Sequence, residues 1–104
     1  MIFSIGNHIE LIVKGLKTQT RRQSDRYEVG KLYSIQPERT AKAIPQGKIR
    51  ILEKLREPWP YTISINDAKA EGGYTPQKFE QLYEKIHPKW HQRFAYTFRF
   101  EEAK

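Results

Sequence analysis

Hydrophobic positions along this chain follow two periods, and the switches between them mark out the elements. Alternation is sharpest near the end, where Phe94, Tyr96, Phe98 and Phe100 fall on one face and Ala95, Thr97 and Arg99 on the other. That pattern predicts a strand over Arg93–Phe100. A second long strand is expected over Lys48–Arg56, with Ile49, Ile51 and Leu55 on one face and Leu52 as the exception. Shorter strands are predicted at Ile2–Ser4, Thr18–Arg22 and Leu32–Ile35, the last entered from a turn at Val29-Gly30-Lys31. The helical period appears at Phe79, Leu82, Tyr83 and Ile86, spaced i, i+3, i+4 and i+7. Thr75-Pro76 supplies a cap followed by proline at the first helical position, and Pro88 prevents simple continuation. Two shorter helices are expected. One covers His8–Lys14, with Asn7 as cap, an apolar face of Ile9, Ile12 and Val13, and Gly15 closing it. The other runs from the Ser64 cap through Asp67 to Glu71 and stops at Gly72-Gly73. Residues 37–47 read as an exposed loop, and Pro58 and Pro60 end the second long strand on either side of Trp59.

This order is not a regular βαβ series, so a doubly wound parallel sheet is not expected. Several strands with helices around them predict an α+β domain with a small barrel-like sheet. The 104 residues make one domain, residues 1–104. The absence of cysteine excludes disulfides, thiolate zinc sites and a cysteine nucleophile. No apolar run is long enough for a transmembrane helix or a signal peptide, so no membrane partner and a cytoplasmic location are expected. The net charge of +7 changes the picture more. Residues 1–56 hold 12 Lys/Arg against 5 Asp/Glu, whereas residues 57–104 hold 7 against 7. An excess confined to one half points to a polyanionic partner such as RNA or a nucleotide.

Two segments carry candidate chemistry. Lys17-Thr18-Gln19-Thr20-Arg21-Arg22 sets short hydroxyls and long cations on a strand fed directly by a glycine-closed helix. Such a strand lines a pocket with hydrogen-bond donors. The start of this segment is not a phosphate-binding loop, because the upstream glycine is missing and no helix follows. In Ala70-Glu71-Gly72-Gly73-Tyr74, a carboxylate stands at a helix C-terminus, the negative end of the dipole. That misfit suggests Glu71 is held by pairing with Lys17 or an arginine. His87 and His91 lie four apart with Pro88 between them and no acidic motif, so no metal site is assigned. His8 stands at a helix start with no partner in view.

Taken together, the segments resemble the ASCH family of the PUA-like superfamily. The shared features are Gly15-x-Lys17-Thr18-x-Thr20-x-Arg22, the Val29-Gly30 turn, Asp67 to Tyr74, the helix with Phe79 and Leu82, and the aromatic strand to Phe98. The resemblance covers nearly the whole chain. It implies a small PUA-like mixed β-barrel with peripheral helices and a cleft, in proteins associated with RNA or modified nucleosides. Among small members the chain looks most like the bacterial N4-acetylcytidine amidohydrolases. Carried over by motif position, the catalytic residues are Lys17, Thr20 and Glu71, without cofactor or metal. Amide hydrolysis needs a nucleophile, a base and an oxyanion partner. Thr20 would attack, Lys17 would take its proton, and Glu71 would orient the lysine or pass a proton to the leaving amine. Thr18, Arg21 and Arg22 would bind substrate, and Trp59 or Tyr74 would stack on the base. Lys17 and Thr20 are three apart, so this chemistry requires Lys17 to sit on the turn after Gly15, outside the ladder. The alternatives are a non-catalytic RNA-binding module or a ribonuclease.

Overall fold

A computed structural model of the chain describes residues 1–87 and 92–103. The order of elements is α1 (His8–Val13), β1 (Gln19–Arg22), β2 (Leu32–Ser34), β3 (Gly47–Glu57), α2 (Ile65–Gly72), α3 (Pro76–Ile86) and β4 (Arg93–Glu102). All four strands join one antiparallel sheet in the order β1-β4-β3-β2. The fold is a small α+β domain with β1 and β2 at the sheet edges. Among the described residues no helix is long and apolar enough to cross a membrane.

The alternating aromatics of β4 organise the interior. Tyr96 and Phe98 are buried with Ile49 and Ile51 of β3, Ile12 of α1, and Met1, Phe3, Tyr27 and Ile35. The opposite side holds a second cluster of Ile63, Ala68, Phe79 and Tyr83, which seats α2 and α3. Both helix starts follow their sequence signals. Ser64 accepts a hydrogen bond from Asp67 N and Thr75 one from Lys78 N. Gly73, at φ +83°, provides the left-handed residue that closes α2.

Four expectations need correction. Ile2–Ser4 is not a strand: Ile2 forms a single parallel bridge to Gln36, and the chain bends at Pro37 before the pairing can extend. Asn7 occupies the cap position of α1 without a side-chain capping bond. Leu55 does not share a face with Ile49 and Ile51. The β3–β4 register shifts between Ile51 and Glu53, so Leu52 is the extra residue of a bulge and every later side chain changes face. Leu55 therefore pairs with Ala95 and is 55% exposed. Ile86 is also half exposed, because it lies at the rim of a cleft and not over the core. Pro88 lies outside the described residues.

Gly47 opens β3 against the end of β4, and a Cβ there would meet Glu101 O at 2.2 Å and the Phe100 ring at 2.8 Å. A backbone oxygen yields only if the strand moves. Gly47→Ala is therefore expected to lower the unfolding free energy by roughly 1–3 kcal/mol in urea titrations. An unchanged midpoint would show that the strand ends are not packed this closely.

Candidate functional site

The site begins where α1 hands over to β1. Leu16 N and Lys17 N both donate to Leu11 O, and Thr18 N donates to Ala70 O at 2.8 Å, docking this turn on the end of α2. The ladder starts only at Gln19, so Lys17 sits on the turn, as the proposed chemistry requires. Its side chain is 1% exposed and lies along the C-terminal end of α2. The ammonium donates to Glu71 O at 2.5 Å, Gln19 O at 2.8 Å and Glu71 Oε1 at 3.1 Å. All three of its donors are used. This explains the carboxylate at the wrong end of a helix: a buried cation covers both the terminal carbonyl and the carboxylate.

Glu71 has a second partner. Arg21 Nη1 donates to its Oε2 at 2.9 Å. Arg21 also grips Glu57 with two bonds of 3.1 Å and reaches Gln19 Oε1 at 3.0 Å and Asp67 Oδ2 at 3.3 Å. Burial disfavours the charge on Arg21, but bonding to Glu57 and Glu71 outweighs it and leaves the guanidinium above its ordinary range. Thr20 projects to the other side of the strand. Its Oγ1 accepts from Arg22 Nε at 3.2 Å, and the Arg22 guanidinium donates to Ile2 O at 2.6 Å and lies 4.7 Å from the Phe3 ring centroid. The Thr20 hydroxyl proton has no acceptor among the described residues. Lys17 and Thr20 are not hydrogen-bonded to each other.

These groups converge on a cleft of about 360 Å³. Lys17, Thr20, Arg21, Arg22 and Glu71 form its polar side, and Phe3, Phe79, Leu82 and Ile86 its apolar side. A cavity of this size and mixed lining suits a small organic ligand. Burial pushes the Lys17 ammonium below the ordinary lysine range, with Arg22 and Arg21 adding to the effect and Glu71 opposing it. Arg22 is likewise lowered, chiefly by burial.

Of the remaining sequence candidates, Thr18 contributes through its backbone, its carbonyl accepting from Phe98 N at 2.9 Å, and its side chain is not in the cleft lining. Trp59 is half exposed, packs edge-on against Tyr61, and is not part of the lining. Tyr74 reaches the cleft indirectly, its hydroxyl 2.6 Å from Nε2 of His8, which does line it. His8 is the residue that sequence reasoning passed over. Burial, with Lys17 and Arg22 nearby, pushes its pKa down to about 4, so the imidazole is neutral at pH 7. Also missed were Glu57, Glu80 and Arg93, since only strand register puts Glu57 opposite Arg93. His87 lines the cleft and packs against Tyr83, whereas His91 lies outside the described residues. Among the described residues no cluster of metal-binding side chains occurs.

No protein-family model matches this chain, and no curated protein matches it. Among solved structures it is similar to the crystal structure of protein EF3133 from Enterococcus faecalis V583, of the family DUF984. The TM-score is 0.68 at 20% identity over 89% of this chain. The match spans 66% of that protein's length, and it is a likeness of fold.

Glu71→Ala would leave the buried Lys17 ammonium without a carboxylate and take one of three from Arg21, and is expected to cost roughly 3–5 kcal/mol of unfolding free energy in urea. A loss within error of zero would mean that solvent reaches the pair. For His8, the folded pKa lies below the unfolded one, so the unfolded chain binds a proton that the folded chain refuses. Stability is then full above about 6.5 and falls as the pH drops from there towards about 4. His8→Gln is expected to flatten that part of the stability–pH curve relative to wild type, and parallel curves would count against the burial of the imidazole.

Proposed function

We propose that this chain is an ASCH-type, PUA-like protein that hydrolyses an acylated nucleoside, with N4-acetylcytidine as the substrate to try first. The observation that carries this reading is convergence: Lys17, Thr20 and Glu71, 54 positions apart at the extremes, line one cleft. A barrel-like closure is supported by the N-terminal segment. Residues 1–3 hydrogen-bond alongside Gln36 beyond β2, while Arg22 of β1 donates to Ile2 O, so the two sheet edges approach each other through Ile2.

The chemistry proceeds as follows in this proposal. The acetyl carbonyl lies over Thr20 Oγ1, whose hydroxyl proton is left to be taken by a base. Arg22 Nε, already on that oxygen, stabilises the alkoxide as its proton leaves. Lys17 is the base. Its present hydrogen bonds hold it as an ammonium, so accepting a proton requires Glu71 to take one from it first, for which the 3.1 Å contact is placed. Attack forms an acetyl ester on Thr20 and releases the cytidine amine, which takes its proton from Glu71. Water then cleaves the ester to acetate and restores the hydroxyl. Burial of Lys17 and its two arginine neighbours favours the neutral amine that this sequence uses. The apolar wall of Phe79, Leu82 and Ile86 would carry the acyl group or base.

A second reading, an RNA-binding module without chemistry, is favoured by a different feature. Of the cleft cations, Lys17 and Arg21 are paired with carboxylates and Arg22 bonds to neutral oxygens, while exposed Arg39, Lys42 and Lys48 have no acidic partner among the described residues. Incubation with N4-acetylcytidine separates the two. Wild-type protein is expected to release cytidine and acetate, and Thr20→Val, which keeps the side-chain shape, to lose at least about 100-fold. No turnover by the wild type, or full turnover by Thr20→Val, would sink the amidohydrolase. RNA retention at low salt without turnover would select the binding module.

A further inference from the structure

The ion pairs at the cleft do not stop at Arg21. Glu57, the last residue of β3, is held on its other side by Arg93 of β4, whose Nε donates to Glu57 Oε1 at 2.7 Å. Arg93 is fully buried and grips Glu80 of α3 with two bonds of 2.6 and 2.8 Å. Its guanidinium lies 3.7 Å from the Tyr61 ring centroid. A continuous chain, Glu80–Arg93–Glu57–Arg21–Glu71–Lys17, therefore links α3, β4, β3, β1, α2 and the turn before β1. Glu57 lies between the two arginines and touches both. It is not in the cleft lining and does not contact Lys17 or Glu71.

We infer that Glu57 is a positioning residue for the cleft, setting through Arg21 the charge balance that Lys17 and Glu71 experience. Arg21 has carboxylates on two sides. With Glu57 in place, the guanidinium is shared, and one Nη bond is left for Glu71. Without that charge, Arg21 presents its full positive field to Lys17 and competes with the lysine for Glu71. Both changes make the ammonium easier to deprotonate. The charged and titratable groups facing Lys17 are Glu71 from α2, Arg21 and Arg22 from β1, and His8 from α1. Those around Glu57 and Arg21 are Asp67 of α2, Arg93 of β4 and, beyond Arg93, Glu80 of α3. Any catalytic meaning of this control rests on the amidohydrolase reading, but the measurement does not.

The test follows the Lys17 side chain directly. Protein carrying 13Cε-labelled lysine is titrated by NMR, with the Lys17 signal assigned from its loss in Lys17→Met. In Glu57→Gln, the Lys17 midpoint is expected to fall by roughly 0.5–1 pH unit. Glu57→Asp, which keeps the charge, should stay near wild type. Glu80→Gln, one link further away, should shift the same way by less. A folded Glu57→Gln protein with an unmoved or raised midpoint would overturn the inference, as would an equal shift in Glu57→Asp. If Glu57→Gln fails to fold, Glu80→Gln carries the test, and an unmoved midpoint there is equally fatal. A residue that merely props the fold would lower the melting temperature and leave the midpoint alone. A moved midpoint in a protein that never hydrolyses N4-acetylcytidine leaves the positioning role standing and removes the amidohydrolase. Turnover with an unmoved midpoint does the reverse.

Discussion

A carboxylate at the C-terminus of a helix is repelled by the terminal carbonyls unless cations are brought to it. In this protein two are. Lys17 covers the carbonyl and one carboxylate oxygen of Glu71, and Arg21 takes the other oxygen. Because all three side chains are buried, none can be left without the others. That requirement ties the end of α2 to the turn before β1 and to β1 itself, and it fixes the polar side of the cleft.

An edge strand makes the rest of the site possible. β1 pairs on one side only, with β4. As in any strand, its alternate side chains serve opposite faces of the sheet. Arg21 points to the face covered by α2 and α3, and Thr20 and Arg22 to the face covered by Phe3 and the N-terminal segment. The cleft forms where the two faces meet around the unpaired edge. A central strand would have kept those two sets of residues apart.

Charge is arranged differently from its distribution along the chain. The basic excess lies in residues 1–56, yet Lys17 and Arg21 of that half, at the cleft, are met by acids from the other half: Glu57, Asp67 and Glu71. Folding thus pairs Lys17 and Arg21 across the two halves and leaves unpaired excess charge on the surface, at positions such as Arg39, Lys42 and Lys48. Long-range attraction of a polyanion and local chemistry in the cleft are served by different residues.

Most signals carried by a few neighbouring residues match the structure, the Asn7 cap and the Ile2–Ser4 strand being the exceptions. The caps at Ser64 and Thr75, the stop at Gly73, the alternation of β4 and the misplaced carboxylate at Glu71 are each decided by a few neighbouring residues and the geometry of one element. What needed the tertiary structure was everything decided by pairing across distance. The bulge at Leu52 showed in the sequence only as a break in alternation, and its consequence, Leu55 turned to the far face, depends on what β4 does opposite. His8 reads as a helix-start residue until Tyr74 closes on it, and that Trp59 packs on Tyr61 outside the cleft lining shows only in the tertiary structure. Glu57 and Arg93 lie 36 positions apart and meet only because the strand register sets them opposite each other. Periodicity and capping report a residue's own element, whereas a buried ion pair is an agreement between elements, and no local pattern encodes it.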